Sequence, residues 1–235
     1  MNDATTIFAP DVAVALAAEL FPDAVEVAVT YPWEAPDGLW PDEIASLAKP
    51  VDKRLREFAA GRRAARQAMS RLGVSEAAIP QGSDRAPVWP RGVVGSLSHT
   101  DTICLAAVAH RGQFAALGLD IEEDADLPVD LWPEVLTPIE TAWLSVQPDD
   151  LRGRLARLIF SAKECAYKLQ YPITGKLLGF EAFDITLDVE TGQVEATLTD
   201  DVAPFAARTQ FAGRFAFGAG LVLTAMTMPR SMLSA

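Results

Sequence analysis

The chain has 235 residues, half of them apolar, which is enough for one domain or two small ones around a real hydrophobic core. A net charge of −12 argues against non-specific binding to nucleic acid and against adhesion to an anionic membrane surface. Two cysteines, Cys104 and Cys165, are too few for a disulfide framework or a zinc site. They read as buried thiols in a reducing cytoplasm, with no secretion signal and no membrane span expected.

In chain order, a polar start precedes a short helix from Val12 to Leu20. A strand follows, Val25 to Val29, with period-two alternation. The Pro- and Trp-rich stretch from Tyr31 to Pro41 reads as a loop, and Pro41-Asp42-Glu43 opens a helix with acidic residues in its first turn. The longest helical pattern so far runs from Val51 to Leu72 and ends at Gly73. Its apolar stripe is Leu55, Phe58, Ala59, Ala65, Met69 and Leu72. Arg54, Arg62, Arg63 and Arg66 decorate the rest. They are either a solvated face paired to Glu57 or a phosphate clamp, and the pattern leaves both open.

Gln81 to Arg91 is a Gly/Pro-rich loop carrying Arg85 and Trp89. It delivers Gly92 to Thr100, where Gly95 and alternating small polar residues suggest a strand edge or turn that something else approaches closely. Ser98 lacks a nucleophile-elbow context, and His99, one of two histidines, reads on its own as structural. Ile103 to Ala109 is a buried strand, with His110 exposed at its end.

Gly118-Leu119-Asp120-Ile121-Glu122 ends a further strand. Alternation sends Asp120 and Glu122 to one side while Leu119 and Ile121 face the core. From Glu123 to Pro138 the chain is acidic and broken by prolines, with Leu127, Leu131, Trp132, Val135 and Leu136 as its apolar residues. Thr137-Pro138-Ile139-Glu140 then opens a helix with a capping-box pattern. The stretch Phe160-Ser161-Ala162-Lys163-Glu164-Cys165-Ala166-Tyr167-Lys168 lies on an amphipathic helix with Leu155, Leu158, Ile159 and Leu169, expected to end before Tyr171-Pro172. Glu164 and Lys168 share one face of it. Three carboxylates and a lysine form a donor set suited to a hard divalent ion and a phosphate. The tail reads as antiparallel strands over 183–187, 194–198, 214–218 and 221–226, with a hairpin at Thr191-Gly192.

Taken together these motifs resemble an Sfp-type 4′-phosphopantetheinyl transferase, in the style of the enterobactin synthase component D group. The likeness rests on Gly118 to Glu122, Phe160 to Lys168, Arg54 to Arg66, Pro87-Val88-Trp89-Pro90, Gly95-Ser96-Leu97-Ser98-His99 and Tyr171-Pro172-Ile173-Thr174-Gly175. It spans roughly residues 50–225. The resemblance implies an α+β fold of two pseudo-twofold-related halves, 1–112 and 113–235, with the active site in the cleft between them. It implies a Mg²⁺-dependent enzyme, Mn²⁺ being an alternative, that moves the 4′-phosphopantetheine arm of coenzyme A to a serine of an apo acyl or peptidyl carrier protein and releases adenosine 3′,5′-bisphosphate. Carried over by position, Asp120, Glu122 and Glu164 hold the metal and form one cluster, and Lys168 contacts the pyrophosphate. Asp120, Glu164 and Lys168 are the catalytic set, with Glu164, directly or through a metal-bound water, as the base.

Arg54 and Arg62 hold the 3′-phosphate of coenzyme A, with Arg85, Ser98 and His99 near its phosphates. Many relatives have lysine where this chain has Gln81, which leaves Arg85 to carry that charge. A cytoplasmic monomer is expected, with Leu127, Leu131 and Trp132 as the carrier-docking contact. The alternatives are a non-catalytic module that binds coenzyme A or a carrier, and an unrelated Mg²⁺-dependent phosphohydrolase.

Overall fold

The two long amphipathic stretches become the two long helices, and each backs an antiparallel sheet. The computed structural model describes residues 10–233, so the polar start lies outside the described residues. The first half contains α1 (Pro10–Leu20), β1 (Val25–Thr30), a short α2 (Pro41–Ala45), α3 (Asp52–Arg71), β2 (Val93–His99) and β3 (Cys104–His110). The second contains β4 (Phe114–Glu123), a short α4 (Trp132–Val135), α5 (Pro138–Ser145) and α6 (Asp149–Thr174). It ends with β5 (Phe183–Asp188), β6 (Gln193–Leu198), β7 (Gln210–Gly218) and β8 (Leu221–Pro229).

The sheets are ordered β1-β3-β2 and β4-β8-β7-β6-β5, every neighbouring pair antiparallel. In each half a strand leads into the long helix, and a later hairpin returns to pair with that strand. Thus β1-β3-β2 repeats as β4-β8-β7, with β5 and β6 added at the outer edge. The α+β architecture of two similar halves is therefore present in the connectivity itself.

Burial explains why the halves do not separate. On α6 the apolar stripe Leu155, Leu158, Ile159, Ala162, Ala166 and Leu169 is buried, as the spacing predicts. On α3, Phe58, Ala59, Ala65 and Met69 are buried likewise. A further cluster takes Ala13, Ala17, Leu105, Leu119 and Leu223 from α1 and from both sheets, so the two halves share apolar packing. The capping box of α5 forms: the Thr137 N–H donates to Glu140 Oε2 at 2.7 Å, and the Glu140 N–H to Thr137 Oγ1 at 3.4 Å. No helix among the described residues is long and apolar enough to cross a membrane.

Two expectations need correction. α6 does not end before Tyr171-Pro172; it runs through Pro172 to a left-handed Gly175. Proline removes one i→i−4 bond, and so near the terminus it disturbs only the last turn. Gln170 and Thr174 fasten that turn, the former donating to the Lys176 carbonyl at 3.1 Å. The second concerns docking. Leu127 is 1 % exposed and accepts the Trp132 Nε1–H at 3.0 Å through its carbonyl, so it is core and not a docking surface. Trp132 packs against the same core, and of the three only Leu131 is exposed.

Helix α6 lies very close to β4. A Cβ built on Gly118 would meet the Cys165 carbonyl oxygen at 2.3 Å, inside any real contact distance. This approach sets how far Glu164 and Lys168 reach toward Asp120. Gly118→Ala should push the helix away and destabilise the fold by about 1–3 kcal/mol. A lowered denaturant midpoint, with transfer activity falling alongside it, would check this; an unchanged midpoint would contradict it.

Candidate active site

A cleft of about 820 Å³ opens between the halves, and all nine residues singled out from the sequence line it: Arg54, Arg62, Arg85, Ser98, His99, Asp120, Glu122, Glu164 and Lys168. They come from α3, the loop before β2, β2, β4 and α6. Strand alternation on β4 turns Asp120 and Glu122 to the cleft and Leu119 and Ile121 inward. One helical turn separates Glu164 from Lys168 on the cleft face of α6.

The hub of the site is Lys168. Its ammonium donates to Asp120 Oδ1 at 2.6 Å, to Ser98 Oγ at 3.0 Å and to the Leu119 carbonyl at 3.2 Å. Burial pulls its pKa down, but the charge and hydrogen bond of Asp120 and the charge of Glu164 outweigh this and raise it. Ser98 is bonded on every side. Its proton goes to Asp120 at 2.9 Å, and its oxygen accepts from Lys168 and from the Ile121 N–H at 3.3 Å. Ser96 accepts the Leu119 N–H at 3.0 Å in the same way. Side-chain hydroxyls of β2 thus satisfy the free edge of β4, stitching two sheets that share no backbone ladder. This is the use of the alternating small polar residues. The close approach predicted at Gly95 is made by Trp89, whose ring carbons lie 2.6 Å from where a Cβ would stand.

The three carboxylates line one cleft but do not converge. Among the described residues no group of three His, Cys, Asp or Glu side chains is gathered as a metal site. The expected single cluster is therefore not gathered among the described residues. Lys168 holds Asp120, and Arg157 holds Glu122 through an ion pair of 3.1 Å. Even so, the carboxylates feel one another. Burial and then the Asp120 charge push the Glu122 carboxyl up to about 7, against the pull of Arg157 and Lys168. Burial also raises Glu164, with Lys168 opposing and Asp120 adding to the shift. Asp120 Oδ2 is buried without a hydrogen-bond partner, an unmet acceptor in the wall of the cleft.

The arginine cluster divides. Arg63 and Arg66 turn away from the cleft. Arg66 pairs with buried Glu43 at 2.6 Å and Arg63 with Glu34 at 2.8 Å, pinning the 31–43 segment to α3. They are neither a solvated face nor a clamp. Arg62 faces the cleft from a buried position, its Nε–H donating to the Ile79 carbonyl at 2.7 Å and its guanidinium 3.8 Å above the Phe58 ring. Burial lowers its pKa to about 10, with Glu43 opposing and Arg54 and Arg66 adding to the fall. Arg54 is more open and approaches Gln81 Oε1 at 3.5 Å. Arg85 lies exposed on the loop in a left-handed conformation, φ 69°.

Burial also depresses the pKa of His99, whose Nε2 is 3.9 Å from Glu57. Glu57 is itself a cleft residue that the sequence reading treated as no more than a partner for arginine. Its spacing of three from Arg54 was the available signal. Tyr167 and Tyr171 were also missed: they stack at 5.5 Å, and the Tyr171 hydroxyl donates to Asp84 Oδ2 at 2.7 Å across the mouth of the cleft.

Comparison with known proteins agrees with this arrangement. Residues 42–109 match the 4′-phosphopantetheinyl transferase N-terminal domain, and residues 116–219 match the 4′-phosphopantetheinyl transferase superfamily. The 4′-phosphopantetheinyl transferase Svp of Streptomyces mobaraensis is 39% identical over 205 residues, covering 83% of this chain and 82% of its own. The chain belongs to the 4′-phosphopantetheinyl transferase superfamily. The transferase Npt of Nocardia iowensis is 44% identical over 156 residues, 66% of this chain and 69% of its own. Enterobactin synthase component D of Escherichia coli (strain K12) is 38% identical over 136 residues, 56% of this chain and 62% of its own. The protein is therefore a transferase that moves 4′-phosphopantetheine from coenzyme A to carrier proteins, which sets aside the phosphohydrolase and the non-catalytic module.

The pKa of Glu122 makes the transferase's stability depend on pH. A carboxyl raised from 4.5 to about 7 costs nothing below pH 4.5, where both states are protonated. The cost grows as pH rises between these values and is complete above about 7. Glu122→Gln should accordingly raise the thermal midpoint at pH 8 and leave it near wild type at pH 4. Equal shifts at both pH values would show that the charge of Glu122 is not what the fold resists.

Proposed function

We propose that this transferase binds coenzyme A along the cleft, with Arg54 and Arg62 on the 3′-phosphate and Lys168 on the pyrophosphate. Arg85 and His99 lie near the phosphates, while Ser98 acts by holding Lys168 and Asp120. The acceptor is a serine hydroxyl of an apo acyl or peptidyl carrier protein. In this reading residues 1–112 supply the phosphate clamp and residues 113–235 the catalytic helix and carboxylates, in a cytoplasmic monomer. The supporting observation is that nine residues of both halves line one cleft, with Arg54, Arg62 and Arg85 from the first half and three carboxylates from the second.

The serine oxygen forms a bond to the β-phosphorus as the bond from that phosphorus to the bridging oxygen breaks, and adenosine 3′,5′-bisphosphate leaves. Glu164 takes the serine proton. Its burial makes it a stronger base than a free glutamate, and Lys168 keeps it ionised enough to act. Lys168 faces the negative charge that develops on the leaving bisphosphate. Positioning and charge stabilisation carry most of such a transfer, because little covalent work falls to the protein.

Asp120, Glu122 and Glu164 would hold a divalent cation, Mg²⁺ or Mn²⁺. The fit rests on the donor chemistry: hard oxygens, the carboxyls of Glu122 and Glu164 raised by burial and by the Asp120 charge, and a buried Asp120 Oδ2 lacking a partner. When bound, the ion supplies charge neutralisation at the pyrophosphate oxygens.

Two outcomes are expected. Glu164→Gln should lower carrier modification, followed by intact mass, by about 10²–10⁴-fold while coenzyme A still binds; transfer at the wild-type rate would remove Glu164 as the base. Arg54→Ala should weaken coenzyme A by about tenfold or more yet leave 3′-dephospho-coenzyme A nearly unaffected. Equal losses for both ligands would show that Arg54 does not read the 3′-phosphate. Arg54 is the cleaner test, because Arg62 also supports the fold through Ile79.

A further inference from the structure

Arg157 belongs to neither the clamp nor the catalytic set, yet it holds a cleft residue. It precedes Glu164 by seven positions on α6, about two turns, and so lies on the same side of the helix. Its guanidinium is directed at the last residues of β4 and the short segment that follows. Nη1 donates to Glu122 Oε2 at 3.1 Å, Nε to the Ala125 carbonyl at 3.4 Å and Nη2 to the Asp126 carbonyl at 3.3 Å. The pair is partly screened from solvent, with 18% of the arginine side chain and 25% of the glutamate side chain exposed.

Glu122 needs such a hold. Its neighbours Asp120 and Glu164 both push against its charge, and Arg157 makes the one hydrogen bond the structure gives it among the described residues. Without that bond, repulsion and rotamer entropy would turn a glutamate at a strand end toward solvent. The contact engages one carboxylate oxygen. Arg154, one turn earlier, gives the contrast: it pairs with Asp124 at 2.5 and 2.6 Å and lies 3.9 Å over Phe217, bracing the same segment without touching a cleft carboxylate.

We propose that Arg157 is a positioning residue that holds Glu122 in the orientation needed to bind the divalent cation. The inference rests on the cation reading given above. Partners that hydrogen-bond a metal-ligating carboxylate commonly set metal affinity by ten- to a hundredfold. Charge alone predicts the opposite, since deleting a cation near the site should strengthen cation binding. Orientation prevails here because the charge of Arg157 is already met by Glu122 and by two carbonyl dipoles.

The test is a Mn²⁺ titration of the full chain, reading free Mn²⁺ by electron paramagnetic resonance, beside thermal midpoints. Arg157→Ala should lose Mn²⁺ affinity by about ten- to a hundredfold. Arg157→Lys should recover part of the loss, and Arg154→Ala should bind as wild type does. Transfer by Arg157→Ala should saturate at higher Mn²⁺ with kcat near wild type. Unchanged or tighter binding by Arg157→Ala would overturn the proposal, as would an equal loss in Arg154→Ala. If Arg157→Ala does not fold, Arg157→Lys decides: weakened binding supports the proposal and wild-type binding overturns it. Absence of Mn²⁺ binding to the wild-type chain would instead remove the cation reading, and this inference with it.

Discussion

The pair formed by Asp120 and Lys168 is the interaction on which both the fold's seam and the site depend. It joins β4 to α6 at 2.6 Å, and Ser98 carries the link to β2 in the other half. Neither charge could be buried there alone. A carboxylate left without its cation costs several kcal/mol, while the intact pair with its hydrogen bonds roughly balances its own desolvation. The close approach of α6 at Gly118 makes the pairing possible, and the hydroxyls of Ser96 and Ser98 close the edge of β4 beside it. Stability at the seam and chemistry in the cleft therefore draw on the same few atoms.

From this follows the division of charge. The acidic chain keeps a local set of cations on the first half, where Arg62 is buried against Phe58 and destabilised by Arg54 and Arg66. In the binding mode proposed above, an anionic phosphate between Arg54 and Arg62 would relieve that repulsion. On the second half burial, and then the charge of Asp120, raises Glu122 and Glu164. A ligand carrying phosphates, accompanied by a cation, complements both walls at once, as expected of a transferase that uses coenzyme A.

Much of this was legible in the sequence because it depends on local periodicity. Alternation along Gly118 to Glu122 gave the inward and cleft-facing sets, and the spacing of Glu164 and Lys168 gave a shared helical face. What was not legible depends on partners far along the chain. Arg63 and Arg66 look like Arg54 and Arg62 until Glu34 and Glu43 are brought beside them. Leu127 lies within an acidic, proline-broken run and reads as surface until the 123–138 segment folds back onto the core of the second half. The serine stitch of β2 to β4 has no sequence signature, since hydroxyls that replace a backbone ladder look like any polar alternation. The ion pairs of Asp120 with Lys168 and of Glu122 with Arg157 were hidden for the same reason, since nothing local shows which cation each carboxylate will meet.

The most direct test removes both charges of the central pair, so that neither is left buried without the other. The double variant Asp120→Asn/Lys168→Met should be incubated with coenzyme A, a divalent cation and an apo-carrier, with carrier mass and released adenosine 3′,5′-bisphosphate followed together. The account predicts a cooperatively folded protein in which transfer falls by at least about a hundredfold, while the wild type releases one bisphosphate per arm transferred. A folded double variant that modifies the carrier at the wild-type rate would contradict it.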